Sequence, residues 1–143
     1  MHGLHLSAEL HGCPEAPDGR PLLTDAAALQ ALCERTIAAA GLTVVGELFH
    51  RFTPAPGQTQ TGVTGLLLLA ESHLALHTWP ELGVVTLDVY VCNRDRDCGP
   101  AAQAVMDALI AAFQPARVER RAWARSAIAH SEPRIRTAGM DAR

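Results

Sequence analysis

The strand-like runs in the middle of this chain follow one another closely, and this spacing most constrains the fold. They cover residues 43–52, 65–70 and 84–92, and the second of them is apolar enough to predict a fully buried strand. Parallel neighbours need a crossover of a dozen or more residues, whereas antiparallel strands can be joined by a tight turn. The links between the central runs, 53–64 and 71–83, are at the lower limit for a crossover, and Trp79 and Pro80 disfavour a helix in the second, so we expect a mainly antiparallel sheet.

Two further segments have the spacing of amphipathic helices. Residues 25–40 place apolar side chains on one helical face and end at Gly41, and Pro100 opens a second such segment that stops before Pro115. Strands are expected at 3–10 and 118–123. An antiparallel sheet with both helices on one face is an α+β two-layer sandwich, and its uncovered face favours a partner subunit. We therefore predict one domain over residues 1–123 and a flexible C-terminal tail over residues 124–143.

Charge and composition disfavour several classes of partner. The 143 residues carry 12 Lys and Arg against 15 Asp and Glu, so the net charge of −3 offers no electrostatic footprint for nucleic acid. No apolar run approaches the ~20 residues that a membrane span needs, and Met1-His2-Gly3-Leu4 does not begin a signal peptide. The four cysteines form no Cys-x-x-Cys pair. We expect a cytoplasmic protein with reduced thiols and neither nucleic-acid nor membrane partners.

Residues 70–81 hold an unusually dense group of reactive side chains. The segment reads Ala-Glu-Ser-His-Leu-Ala-Leu-His-Thr-Trp-Pro-Glu, which combines two hydroxyls, two imidazoles, two carboxylates and an indole. Buried polar groups cost free energy unless they are paired, so this concentration indicates chemistry. Taken singly, each residue is more often structural: Trp79 followed by Pro80 can be a packed corner, and Cys92 a buried thiol.

Two common catalytic interpretations fit this segment poorly. Ser72 lacks the Gly-x-Ser-x-Gly context of a hydrolase nucleophile. His73 and His77 have the spacing of metal ligands on one helical face, but Trp79 and Pro80 disfavour a helix, and no third ligand is evident. A metal hydrolase is therefore the weakest hypothesis, and we expect no metal.

Six short motifs occur in order along the chain. They are Leu4-His5-Leu6-Ser7-Ala8-Glu9, Phe49-His50-Arg51-Phe52, Gly62-Val63-Thr64-Gly65, Glu71-Ser72-His73, His77-Thr78-Trp79-Pro80-Glu81 and Asp88-Val89-Tyr90-Val91-Cys92. Together they resemble the prokaryotic S-adenosylmethionine decarboxylase proenzyme family, the short pyruvoyl-dependent type. The block from Glu71 to Glu81 is far more specific than a short glycine motif.

The resemblance implies that the chain cuts itself between Glu71 and Ser72. The Ser72 hydroxyl attacks the Glu71 carbonyl, the acyl group moves from nitrogen to oxygen, and elimination separates a beta chain (1–71) from an alpha chain (72–143). Residue 72 becomes a covalent pyruvoyl group that forms a Schiff base with the substrate amine, so neither pyridoxal phosphate nor a metal is needed.

The resemblance also implies roles for individual residues. His77 is the base that removes a Cα proton during processing, and Thr64, where the family usually has serine, assists it. Cys92 returns a proton to carbon after decarboxylation. The implied substrate-binding residues are Glu81 for the ribose hydroxyls, Phe52 for stacking on adenine, and Trp79. The family places its active site where two protomers meet, which implies a homodimer.

The leading hypothesis is an S-adenosylmethionine decarboxylase that makes the aminopropyl donor for spermidine biosynthesis. One alternative keeps the pyruvoyl group but acts on another amino acid, such as arginine or ornithine, and is suggested by the altered loop before Thr64. A second alternative is an unprocessed regulatory homologue, suggested by threonine in place of serine at position 64.

Overall fold

The structure, a computed structural model, describes residues 2–126. They form a six-stranded sheet with two helices on one face. The sheet has the order β2-β3-β4-β5-β1-β6, and all neighbours are antiparallel. The predicted α+β two-layer sandwich is confirmed. The elements are β1 (His2–His11), α1 (Ala26–Ala39), β2 (Val44–Arg51), β3 (Val63–Leu69), β4 (Ser72–Trp79), β5 (Val84–Asn93), α2 (Gly99–Phe113) and β6 (Arg117–Ser126), with a short 3-10 turn at Pro17–Gly19.

The core lies between the helices and one face of the sheet. Successive residues of a strand point to opposite faces, so the alternating apolar residues of β1 and β5 form one continuous apolar surface. Helix α1 packs over β2 and β3, and α2 packs over β1 and β5. The buried residues of β1, β5, α1 and α2 include Leu6, Ala8, Leu10, Val85, Leu87, Val89, Val91, Leu29, Leu32, Ile37, Val105, Met106, Leu109 and Phe113.

Local signals set the ends of both helices. The Asp25 carboxylate accepts a hydrogen bond from the Ala28 N–H at 3.0 Å and caps α1, and Gly41, with φ of +70°, follows the end of that helix. Pro100 lies in the first turn of α2, where its missing N–H has no partner to lose. Neither helix of the described residues is long and apolar enough to cross a membrane.

Two predictions about the strands are wrong. Strand β3 is buried on one face only: Leu67 is inaccessible, whereas Leu68 is 48% exposed because no helix covers the other face. Strand β6 continues to Ser126, beyond the predicted end at Trp123, because its partner β1 extends to His2. Residues 124–126 are therefore part of the sheet, and the remainder of the predicted tail lies outside the described residues.

The sheet face away from the helices, called the open face below, carries both apolar and aromatic side chains. Leu48 of β2 pairs with Leu66 of β3, and both are exposed there together with Leu68. Towards β1 and β6 the same face presents His5, which packs against Trp123 with their ring centres 5.4 Å apart. This mixture of apolar and polar groups is typical of a surface that contacts another protein.

We expect Leu109→Ala to lower the free energy of unfolding by about 2–5 kcal/mol, because Leu109 lies on the fully buried face of α2 and its truncation leaves a cavity. Urea unfolding followed by circular dichroism measures this. The matched control is Val45→Ala, since Val45 is 66% exposed beside an irregularity in the β2–β3 register and should change stability by no more than about 0.5 kcal/mol. Equal losses in the two variants would contradict the assigned core.

Candidate active site

The turn between β3 and β4 contains the bond that the motifs predict to break. Strand β3 ends at Leu69 and β4 begins at Ser72, so only Ala70 and Glu71 connect them. Glu71 has φ of +59°, in the left-handed region. This conformation costs a residue with a side chain roughly 1–2 kcal/mol. Backbone strain therefore lies on the residue whose carbonyl Ser72 is predicted to attack.

Ser72 and Cys92 meet at this end of the sheet. The backbone N–H of Cys92 donates a hydrogen bond to Ser72 Oγ at 3.1 Å. Both residues line a cavity of about 480 Å³ that also touches Leu42 after α1 and Cys98 before α2. The Cys92 residue is only 8% exposed. The predicted nucleophile and the predicted proton donor therefore line one cavity, called the Ser72 half-site below.

Arg94 is a charged residue of this half-site that the motifs did not identify. Its Nη1 donates a hydrogen bond to Glu71 Oε1 at 2.6 Å, and this bond raises the pKa of Arg94. Arg96 Nη2 donates to the Gly41 carbonyl at 2.7 Å, which ties the same loop to the end of α1. The available sequence signal was the alternating charge of residues 94–97, directly after Cys92.

His77 and Thr64 lie together near the other end of β4. The β3–β4 register places them directly opposite each other, and Thr64 Oγ1 is 3.1 Å from His77 Nδ1, within hydrogen-bond distance. Both line a second cavity of about 400 Å³, to which Phe52 and Trp79 add aromatic surface. This group is called the His77 half-site below.

The long connection between β2 and β3 does not remove Phe52 from this cavity. The Phe52 N–H donates to the Gly62 carbonyl at 3.2 Å, which closes the loop at its base. A Cβ at Gly62 would lie 1.9 Å from the Thr78 carbonyl oxygen, so glycine is required for this close approach. Glu81 is placed differently: it is exposed in the turn after β4 and does not line the cavity.

The two half-sites are separate within one protomer. Ser72 and His77 are five residues apart on one strand, a span of roughly 17 Å at ~3.3 Å per residue. Ser72 has the strand parity of buried Leu74, on the helix side, whereas His77 belongs to the open face. Strand β4 keeps an unbroken register with both β3 and β5, so no bulge brings the two residues together.

The structure does not place His73 and His77 where they could bind one metal ion together. His73 and His77 lie on a strand, so their four-residue spacing separates them by roughly 13 Å, too far for one ion. Within residues 2–126 there is no group of three or more side chains that could hold a metal. His73 instead packs against Tyr90, with ring centres 5.5 Å apart.

The environment of His73 disfavours its charged form. Partial burial is the main cause that lowers the pKa of His73, and the neighbouring His5 ring lowers it further. Asp88 acts in the opposite direction and is itself hydrogen-bonded to His5, whose Nε2 lies 3.1 Å from Asp88 Oδ1. Arg125 is also close, 4.8 Å above the Tyr90 ring, and contributes to the lowering.

Comparison with known proteins defines the class to which this fold and site belong. The crystal structure of the adenosylmethionine decarboxylase from Aquifex aeolicus matches with a TM-score of 0.72 and 30% identity, covering 91% of this chain and 95% of that one. The profile of the S-adenosylmethionine decarboxylase family matches residues 4–126. The chain therefore belongs to the S-adenosylmethionine decarboxylase family, and the resemblance drawn from the motifs is confirmed.

Curated relatives agree with this assignment over nearly the whole chain. The S-adenosylmethionine decarboxylase proenzyme of Picrophilus torridus is 35% identical over 133 residues, which are 93% of this chain and 91% of that protein. The proenzyme of the same name from Aquifex aeolicus is 35% identical over 126 residues, 88% of this chain and 82% of that protein. These names do not favour the arginine or ornithine alternative.

We expect His73 to titrate below the ordinary histidine pKa of 6.5. His5→Gln should raise the pKa of His73 because it removes a repulsive neighbour, and Asp88→Asn should lower it further because it removes an attractive one. The unfolded chain binds this proton more readily than the folded chain, so stability should decline as the pH falls through the ordinary histidine range. Titration of the His73 ring signals by NMR measures the shifts, and a midpoint above 6.5 in the unmodified protein would contradict the expected environment.

Proposed function

We propose that this protein is a self-processing, pyruvoyl-dependent decarboxylase of S-adenosylmethionine that supplies the aminopropyl donor for spermidine biosynthesis. The observation that carries the proposal is the strained turn at Glu71, immediately before a serine that shares a cavity with Cys92. Family membership supports the same activity. The free, buried state of all four cysteines suits a reducing compartment, and we therefore place the reaction in the cytoplasm.

The first reaction is performed by the chain on itself. Ser72 Oγ forms a bond to the Glu71 carbonyl carbon, and the peptide C–N bond breaks, so that an ester replaces the amide. A base then removes the Cα proton of residue 72, and the Cβ–O bond breaks to leave Glu71 as a free carboxylate. Water adds to the unsaturated residue that remains, ammonia leaves, and residue 72 ends as a pyruvoyl group. Strain at Glu71 favours this sequence because it is relieved when the turn opens.

His77 and Thr64 are suited to the base step. When Nδ1 of His77 carries the ring proton it donates to Thr64 Oγ1, which leaves the lone pair of Nε2 free to accept a proton. The methyl group that distinguishes threonine from serine does not prevent this contact. Thr64 therefore supports a processing role and gives no reason to treat the chain as an unprocessed homologue.

The surroundings of residue 72 fit the group that processing would create there. A cavity of about 480 Å³ adjoins it, and Cys92 borders the same space. When present, a pyruvoyl group withdraws electrons from the carbon that loses carbon dioxide. Cys92 then returns a proton to that carbon. Phe52 and Trp79 offer stacking surfaces for an adenine ring, and Glu81 offers a carboxylate for ribose hydroxyls.

We further propose that a second protomer completes each active site. Ser72 and His77 occupy opposite ends of β4, so one protomer alone does not join them. A two-fold axis perpendicular to β4 turns the partner's strand end for end, which brings the Ser72 end of one protomer near the His77 end of the other. The exposed leucines of the open face supply apolar surface for such a dimer. Glu81, exposed in one protomer, is free to contact a site formed this way.

We expect the unmodified protein to separate on a denaturing gel into fragments of residues 1–71 and 72–143, because Ser72 supplies the attacking oxygen. Ser72→Ala should leave one intact chain and no carbon dioxide release from S-adenosylmethionine. Intact mass spectrometry reports the cut and the loss of ammonia at residue 72. The matched control is Thr59→Ala, which removes a hydroxyl from the exposed loop after β2 and should process normally. A folded, unmodified protein that stays in one piece would falsify the proposal.

Co-expression of two inactive variants tests the shared site. His77→Ala should not process alone, and neither should Ser72→Ala. In a mixed dimer, however, His77 of the Ser72→Ala chain faces Ser72 of the His77→Ala chain, so the latter should be cut. Different affinity tags on the two chains allow the cut fragment to be assigned by mass spectrometry. If neither chain is cut in purified mixed dimers, His77 does not act across the interface.

A further inference from the structure

We infer that Arg94 is a positioning residue for the self-cleavage, one that holds Glu71 in the conformation from which the bond to Ser72 breaks. The inference rests on the proposed function and adds a residue to it. It comes from the short ion pair between Arg94 and Glu71 and from the left-handed conformation of Glu71.

The turn is held from two sides. On one side, the Ala70 N–H donates to the Thr43 carbonyl at 3.2 Å, which fixes the turn to the connection after α1. On the other side, Arg94 reaches from the loop after β5 to the Glu71 carboxylate at 2.6 Å. The peptide bond that is predicted to break follows directly after these two held residues.

The loop that carries Arg94 is itself fastened at several points. The Asn93 side-chain oxygen accepts a hydrogen bond from the Cys98 N–H at 2.9 Å, and Asp97 Oδ1 accepts one from the Gly99 N–H at 2.9 Å. Arg96 adds its bond to Gly41. These bonds restrict the backbone of the loop, so the Arg94 guanidinium can hold the Glu71 carboxylate in one position.

The pair also connects the scissile turn to Cys92. Arg94 follows Cys92 by two residues, and the Cys92 N–H bonds to Ser72 Oγ. The end of β5 and the loop that follows it therefore contact both sides of the Glu71–Ser72 bond: Cys92 bonds to the hydroxyl of Ser72, and Arg94 bonds to the side chain of Glu71. Attack on the carbonyl requires this relative placement, since small misplacements of reacting atoms cost rate.

The expected effect is modest. Both partners of the pair are substantially exposed, at 65% and 48% of their side-chain surface. Loss of an exposed ion pair should slow a reaction that depends on it by about two- to fivefold. A change of this size is resolved by a quenched time course of fragment appearance on a denaturing gel.

The test compares the cleavage rates of freshly folded Arg94→Ala, Arg94→Lys and the unmodified protein. We expect Arg94→Ala to be cut two- to fivefold more slowly at the same bond, and Arg94→Lys to recover most of the rate. Glu71→Gln should slow cleavage to a similar extent, and the double variant Glu71→Gln/Arg94→Ala should be no slower than either single variant, because both remove the same interaction.

The matched control is Arg120→Ala. Arg120 forms an equally short ion pair of 2.6 Å with Asp107, on the outside of β6 and α2 and away from both half-sites. Arg120→Ala also removes a hydrogen bond to Gln103, so it should lower thermal stability at least as much as Arg94→Ala does, without slowing cleavage. If Arg94 had only a structural role, cleavage would be slowed in neither Arg94→Ala nor Arg120→Ala, or it would be slowed in both in proportion to their loss of stability.

The outcomes separate this inference from the proposed function. If the unmodified protein is cut and Arg94→Ala is cut at the same rate, the inference is overturned and the decarboxylase proposal stands. Additive slowing in the double variant would also overturn it. If the unmodified folded protein is never cut, both fail together.

Discussion

The antiparallel pairing of β3 with β4 through a two-residue turn is the constraint on which the rest of the site depends. One register determines three things at once: it places Thr64 opposite His77, it leaves Ala70 and Glu71 to reverse the chain, and it starts β4 at Ser72. A slip of one residue would send every side chain of β4 to the other face. The buried leucines of β3 and β4 oppose such a slip, so the core of the sandwich fixes the position of the reactive groups.

The distribution of reactive groups explains why one sheet face stays uncovered. The His77 half-site lies on the open face beside exposed leucines and aromatic rings, whereas the Ser72 half-site lies at the sheet end, beside Leu42 after α1 and Cys98 before α2. A third layer within the same chain would bury Thr64 and His77. The fold is therefore stabilised on one face, and the other stays accessible for the proposed reaction and the proposed dimer contact.

The sequence was sufficient to predict both helices and the sandwich, because periodicity and turn signals are local, whereas the meaning of the motif around Ser72 came from the family resemblance. It could not predict the long-range contacts. The ion pair of Arg94 with Glu71 joins the loop after β5 to the turn before β4, and the closure of the loop below Phe52 depends on Gly62 approaching β4. The half exposure of β3 was also missed, since a run of leucines looks alike whether one or both faces are covered. The role of each site residue stays a prediction.

The strand order determines how the two fragments would stay together if the chain were cut between β3 and β4. The N-terminal fragment would contain β1, β2 and β3, and the C-terminal fragment would contain β4, β5 and β6. Strand β1 nevertheless lies between β5 and β6 in the sheet. Three of the five strand pairings, β3–β4, β5–β1 and β1–β6, would then join different polypeptides. The strands of the two fragments would alternate in one sheet, and the same backbone hydrogen bonds would hold them together as in the uncut chain. This strand order forms most readily while the chain is still continuous, so we expect folding to precede cleavage.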